Sequence, residues 1–351
     1  MKICYIANSK SSHTVKWVNY FLDLGHEVSV ISHSLDEIPG ATLYFIDYSI
    51  RNFPFKVREI HNIIKEINPD VIHAHQANTC GLYAASMRGY KVVVSAWGSD
   101  ILVAPKESFI MKKIVEYVVK KAYFITSDSK FMTEKIIELG GNREKCFTFP
   151  MGVEDDLLNY MHEFNLDNKE LNVLSNRRLE KMYNVDIIIK GFCKALRINP
   201  NLKLTIAADG SEEGNLKELA SSLGIEDKIN FFGRYNHEQL CKMLKENDVF
   251  ISIPDSDSTS VSLLESMCCG LYPVVCDLPA NREWVTNNDN GIVIKEISEE
   301  SVKNVLLWCY EHRAEMKKVA NKNSEIIKKD ALWKNNAKIV EDLYKKILET
   351  T

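Results

Sequence analysis

Short apolar runs alternate with longer amphipathic segments along almost the whole chain, and few architectures tolerate that pattern. Ile3–Ala7 reads as a strand. Thr14–Leu24 reads as a helix with Val15, Val18, Phe21 and Leu22 inward, Gly25 as its stop, and Glu27–Ser32 as the next strand. A strand–helix–strand order implies a parallel sheet with right-handed crossovers. The alternation continues with helix Val57–Ile67, strand Val71–Ala74, helix Cys80–Arg88, strand Lys91–Ala96 and helix Phe109–Lys121. Strand Tyr123–Ser127, helix Lys130–Leu139 and strand Cys146–Phe149 follow, with Pro69 and Gly140–Gly141 where helices should stop.

The pattern breaks once. Residues Glu154–Glu170 are polar and acidic, which marks an interdomain linker. A second series then runs Asn172–Ser175, Val185–Ile198, Lys203–Ala208, Leu216–Leu223, Ile229–Phe232, Glu238–Asn247, Val249–Ile253, Ser260–Cys268 and Tyr272–Cys276, beginning with a strand and alternating with helices. Helical segments are expected to fill the chain after Gly291. A length of 351 residues suits two domains. The expected fold class is α/β, with two doubly wound domains over about 1–160 and 165–331 and a ligand crevice at the carboxyl ends of their strands.

Composition narrows the function classes. A chain 45% hydrophobic and 26% charged is that of a globular protein. A net charge of −4 gives no broad reason to bind nucleic acid. The nine cysteines are scattered and form no C-x-x-C pair, so reduced thiols in a cytoplasmic protein are expected and no metal site is. Cys4, Cys193 and Cys276 fall in apolar runs, as core residues do. The first apolar run is too brief for a signal peptide, and no run is long enough to span a bilayer. Helix Ser108–Lys121 carries Phe109, Ile110, Ile114, Tyr117 and Val118 with Lys112, Lys113, Lys120 and Lys121. It suits either packing on a sheet with a basic outer face or contact with an anionic membrane. Neither G-x-G-x-x-G nor G-x-x-x-x-G-K-[ST] is present. Asn8–His13 follows the first strand instead, which places His13 in that loop.

The most specific stretch is Asp255-Ser-Asp-Ser-Thr-Ser-Val-Ser-Leu-Leu-Glu265-Ser-Met-Cys-Cys-Gly270-Leu-Tyr-Pro-Val-Val-Cys-Asp277. It reads as a strand end, a hydroxylic loop, a helix start, a glycine stop and another strand. Backbone N–H groups at such a helix start, with the helix dipole, favour phosphate. Asp257 and Glu265 flank that start and could meet hydroxyls on either side of a diphosphate, as in a nucleotide sugar. Two plainer readings stand beside this one. Ser262-Leu-Leu-Glu265 fits a capping box, and Asp257 fits a solvated loop acid. In the first domain His73 and His75 share one face at a strand end, and Trp97-Gly98-Ser99-Asp100 ends the next strand. Asp100 could line a cleft or cap the turn.

Asp257, seven residues, then Glu265-Ser-Met-Cys-Cys-Gly270-Leu-Tyr-Pro-Val-Val resembles the E-x7-E signature of retaining glycosyltransferase family 4, with Asp for the first Glu. Leu174-Ser-Asn-Arg177-Arg-Leu-Glu-Lys181-Met-Tyr-Asn-Val-Asp186 resembles the segment that opens that family's second domain. Ala207-Ala-Asp209-Gly210 resembles its Gly-x-Gly turn, and Phe231-Phe-Gly233 its Phe-x-Gly segment. The resemblance implies a GT-B architecture of two Rossmann-like domains, with a last helix, about 332–351, packing back on the first. It implies that Glu265 holds ribose hydroxyls and that Asp257 faces the donor sugar. Ser260, Val261 and Ser262 would line the diphosphate, with Gly210 in the donor site.

Arg177 and a lysine would neutralise the diphosphate. Met182 or Tyr183 stands at the lysine position, leaving Lys181 or Arg178 to substitute. On the acceptor side the resemblance implies His75 above His73, with His13, Gly98 and Asp100. The activity implied is transfer of a sugar from a nucleotide diphosphate sugar to an acceptor hydroxyl with retention. It needs no metal and no cofactor beyond the co-substrate. UDP is favoured and GDP is open. The expected acceptor is a glycan or lipid-linked saccharide of surface polysaccharide or glycolipid synthesis, met in the cytoplasm or at the inner membrane face. An epimerase or phosphorylase of the same architecture, and a non-catalytic nucleotide-sugar-binding partner, remain alternatives.

Overall fold

The computed structural model describes residues 1–350. These residues divide into two compact units, residues 1–150 with 335–350, and residues 151–334. Each is an α/β unit built on one parallel sheet.

In the first unit the strands are β1 (Lys2–Ile6), β2 (Glu27–Ser32), β3 (Thr42–Phe45), β4 (Val71–His75), β5 (Val92–Ser95), β6 (Phe124–Ser127) and β7 (Cys146–Thr148). Their order in the sheet is β3-β2-β1-β4-β5-β6-β7, all parallel. The chain starts at β1, winds outward to β3, then returns to the other side of β1 as β4. The β1/β4 boundary is therefore the switch point, where loops on the two strands' carboxyl ends diverge and leave room for a ligand. Apart from the exposed Lys2, the central strands β1, β4 and β5 are buried along their length, as sheets covered on both faces require. The short edge strand β3 is missing from the sequence reading because it is only half-buried and its apolar run is brief.

The second unit contains β8 (Leu171–Ser175), β9 (Leu202–Ile206), β10 (Ile229–Phe231), β11 (Val249–Ser252), β12 (Tyr272–Cys276) and β13 (Ile292–Ile294). The order β10-β9-β8-β11-β12-β13, again all parallel, repeats the winding of the first unit. Its switch point lies between β8 and β11. The strand β13 corrects the expectation that only helices follow Gly291. Ile292–Ile294 pairs with β12, and its three residues are too few to show a period in the sequence.

The acidic stretch 154–170 is not a free linker. Val153 exchanges backbone hydrogen bonds with Ala331 and Trp333, Leu157 is buried beside Leu240 and Cys241, and Phe164 is buried in the main core of the second unit. Isolated apolar residues in polar sequence anchor it there. Gly152 sits where a Cβ would come within 2.8 Å of the Ala331 carbonyl and 2.9 Å of the Trp333 nitrogen. With φ at +84° it needs glycine on both counts.

The last helix, Trp333–Glu349, carries residues of the first unit. Tyr344 is fully buried, stacked on Phe21 at 4.9 Å, with its hydroxyl 3.2 Å from that of Tyr5.

Candidate functional site

In the second unit, the residues that follow β8 and β11 meet at the switch point. Arg177 leaves the end of β8 with only 10% of its side chain exposed. Its guanidinium donates to Asp257 Oδ2 at 2.6 Å and to Ser260 Oγ, and stacks over the Tyr183 ring with Cζ 4.8 Å from the centroid. Asp257 and Ser260 both stand in the loop after β11. Ser260 caps helix Val261–Cys268, its Oγ accepting from Leu263 N at 3.3 Å. The cap therefore begins two residues before Ser262, and the capping box read from Ser262 to Glu265 does not form. Glu265 lies one turn into the helix instead. Its charge acts on Tyr235, whose phenol is raised to about 12, first by burial and then by Glu265. Ser262 Oγ donates to the Asn176 carbonyl at 3.4 Å, and Asn176 Nδ2 donates to Tyr235 Oη at 3.2 Å.

Three buried polar atoms here have no protein partner: Ser175 Oγ, Asn176 Oδ1 and Arg177 Nε. They are consecutive residues at the carboxyl end of β8. Unpaired buried polar groups cost about 1–3 kcal/mol each, so three together mark a place that a polar ligand or water completes. Burial raises the Asp257 carboxyl above its usual range, while Arg177 pulls it down.

Gly210 supports this loop from behind. Leu179 N donates to the Asp209 carbonyl at 3.0 Å and Glu212 N to the Leu179 carbonyl at 2.8 Å. A Cβ on residue 210 would meet the Leu179 backbone, so close approach rather than an unusual φ demands glycine. Asp209 itself is exposed and paired with Arg234.

Of the candidate cations, only Arg177 points inward. Arg178 is exposed, 3.6 Å from Glu180, and Lys181 is exposed on the short turn Lys181–Tyr183. Tyr183, at the end of that turn, holds the Arg177 guanidinium by its ring face.

In the first unit, β1 and β4 bring the predicted histidines together at that sheet's switch point. His73 is fully buried, with Nε2 2.8 Å from Ser95 Oγ and Nδ1 paired to the Tyr344 hydroxyl; Ser95 Oγ continues to Thr126 Oγ1 at 2.6 Å. Both ring nitrogens are spent on structure. His75, also buried, pairs Nδ1 with Thr14 Oγ1 at 3.0 Å and leaves Nε2 without a partner. Trp97 lies 4.6 Å from its ring, and the exposed His13 sets its own ring edge-on to Trp97 at 5.4 Å. Burial lowers the pKa of His73 to about 3 and pushes His75 well down, with His73 and His13 adding to the latter. Although its face is open, His13 is also lowered, first by desolvation and then by Lys16.

Asp100 is fully buried and spent on backbone. Oδ2 accepts from Ala77 N at 2.6 Å and Oδ1 from Trp97 N at 3.0 Å. It clamps the turns after β4 and β5, and so fixes the left-handed Gln76 (φ 76°) beside His75. Gly98, at φ 111°, makes the bend that lets Asp100 reach back.

Known proteins resemble this chain in both units. The family model for glycosyl transferase 4-like domains matches residues 2–129, and that for glycosyl transferases group 1 matches residues 158–326. The chain therefore carries a glycosyl transferase 4-like domain followed by a glycosyl transferases group 1 domain. An uncharacterised glycosyltransferase of Methanocaldococcus jannaschii is 28% identical over 69% of this chain and 62% of its own length. The N-acetyl-alpha-D-glucosaminyl L-malate synthase of Bacillus anthracis is 21% identical over 76% and 69%. The matched stretches thus span between three fifths and seven tenths of these relatives. In fold the chain resembles Anabaena HepE, solved with UDP-glucose, at a TM-score of 0.81, 15% identity and full coverage of both chains. Sucrose-phosphate synthase of Thermosynechococcus elongatus superposes at 0.83 with 12% identity, also over both whole chains.

Proposed function

We propose that this chain transfers a sugar from a nucleotide diphosphate sugar to an acceptor hydroxyl, with retention at the anomeric carbon. The observation that carries this reading is the Arg177–Asp257–Ser260 group at a helix start, beside three unpaired polar atoms at the end of β8. A guanidinium and a helix N-terminus are what a leaving diphosphate needs as charge builds on it. Arg177 and the Ser260–Ser262 backbone bind the diphosphate, Glu265 takes the ribose hydroxyls and Asp257 faces the sugar. The diphosphate leaves while the acceptor approaches on the same face and a donor phosphate oxygen takes its proton. His75, neutral at any ordinary pH, orients a sugar hydroxyl through Nε2 rather than acting as a base. Arg177 and the helix start share the diphosphate charge, and this reading includes no metal.

UDP is the favoured nucleotide, since several relatives and fold neighbours carry N-acetylglucosaminyl or UDP in their names. A thermal-shift screen of UDP, GDP and their sugars tests this, because a ligand present at 100 times its Kd stabilises the fold by about 2.7 kcal/mol. UDP-sugars should raise the melting temperature most. No shift with any nucleotide sugar would remove the reading.

The acceptor side is proposed to meet a lipid-linked or surface saccharide at an anionic membrane. Helix Phe109–Lys121 buries Val115, Val118 and Val119 but leaves Phe109 74% and Ile110 68% exposed. They border an apolar groove with Phe53, Leu82 and Tyr117, and Lys112, Lys113, Lys120 and Lys121 are exposed on the same helix. Exposed aromatic and aliphatic side chains with adjacent lysines suit an acidic lipid surface. The protein should float with vesicles containing phosphatidylglycerol and not with phosphatidylcholine alone. Phe109→Ser with Ile110→Ser should abolish flotation, and flotation unchanged in that double variant would refute the contact.

A further inference from the structure

One cluster in the second unit combines three ligand types outside the proposed donor site. Asp156 lies in the short turn Asp155–Asn159. His237 opens helix His237–Glu246, and Cys241 follows one turn later on the same face. His237 Nε2 is 2.7 Å from Asp156 Oδ2 and 3.6 Å from Cys241 Sγ, and all three ligand atoms lie within 4.8 Å of one another.

These positions are held from below. Leu157 and Cys241 are buried in one apolar cluster with Leu240 and Leu244, so neighbouring residues of both segments share a core. The helix start is fixed by a capping box, with Gln239 N donating to Asn236 Oδ1 and Asn236 N donating to Gln239 Oε1, each at 2.9 Å. The side chains of His237 and Asp156 are about half exposed, so their free edges reach solvent.

A tetrahedral ion with bonds of about 2.3 Å to sulfur and about 2.0–2.1 Å to nitrogen and oxygen sets its ligand atoms roughly 3.3–3.7 Å apart. The sulfur–nitrogen pair already stands at that separation. The nitrogen–oxygen pair must open by about half an ångström, which two exposed side chains achieve by rotation. Thiolate, imidazole and carboxylate together select a borderline-soft cation over magnesium or calcium.

We propose that Asp156, His237 and Cys241 bind a zinc ion or a similar thiophilic divalent cation, which clasps the 155–159 turn to helix 237–246. On binding, the Cys241 thiol releases its proton to solvent and the thiolate bonds to the metal. Neutral His237 gives its Nε2 lone pair and Asp156 a carboxylate oxygen. The charges of one thiolate and one carboxylate balance the dication, and the fourth position faces water. The proposal does not rest on the sugar-nucleotide reading.

Cobalt(II) is a direct probe, because a thiolate ligand gives it a near-ultraviolet charge-transfer band. Titration of the full chain should produce that band at one equivalent, and zinc should displace it. The band should vanish in Cys241→Ser and persist in Cys146→Ser, whose thiol is the half-buried one. His237→Ala and Asp156→Asn should weaken zinc by at least the roughly 10–100-fold that loss of even an outer partner costs. Melting without metal separates a fold defect from a lost ligand. A band retained in Cys241→Ser, or zinc affinity unchanged in both other variants, would overturn the site.

Discussion

Arg177→Ala should lower kcat/KM for sugar transfer by about 10²–10³-fold, the usual cost of removing one preorganised donor to a developing anion. The substitution removes both the cation and the partner of Asp257, a carboxylate that burial already holds above its usual range. Arg177→Lys should recover little. The guanidinium serves Asp257 and Ser260 at once through two nitrogens and lies flat on Tyr183, and an ammonium has neither the fork nor the plane. Arg178→Ala provides the internal control, since that side chain is exposed and stands 3.6 Å from Glu180. Steady-state rates and UDP affinity of the three variants decide the matter. Equal losses at 177 and 178 would mean a general charge effect, and the Arg177 assignment would fall.

That contrast also marks how far the sequence could be read. The alternation of apolar runs and amphipathic segments was legible because central parallel strands are buried on both faces. It therefore located most of both sheets. The alternation alone did not separate Arg177 from Arg178, and the choice of Arg177 came from the family resemblance. Neighbouring residues in extended chain point opposite ways, and a one-residue difference in where β8 ends exchanges them. Lys181 was a natural substitute by charge, but the turn Lys181–Tyr183 carries it outward. Segment 154–170 looked like a linker because three anchors, Leu157, Met161 and Phe164, are spread through acidic sequence and show no period. The spacing of His237 and Cys241 is visible on one helix face, yet Asp156 lies too far along the chain for any local pattern to join it. Asp100 was half legible. A carboxylate after a Gly bend suggests a cap, and its two backbone donors come from turns on different strands.

Acid should unfold the first unit more steeply than its carboxylates alone explain, because His73 and His75 are buried uncharged. His73 is held near 3 by burial, against about 6.5 in an unfolded chain. Between those values the unfolded state binds a proton that the folded state refuses, so stability rises with pH across the window. It is fully present above about 6.5 and falls by about 1.4 kcal/mol for each unit of acidification per histidine. The loss ceases near pH 3 for His73 and continues lower for His75, which burial, His73 and His13 depress further. Burial also raises Asp100, and a raised carboxyl opposes this trend as it titrates, so the slope of one variant against another is the informative quantity. His73→Gln keeps polar atoms for Ser95 and Tyr344 but has nothing to protonate. Its stability at pH 7 should be lower than that of the parent, through imperfect replacement of two buried hydrogen bonds. Between pH 6 and 4, however, its stability should fall less steeply. Denaturant unfolding at a series of pH values gives both slopes. Parallel curves would mean that His73 takes up its proton in the folded state, and that the Tyr344–His73–Ser95 chain tolerates the charge.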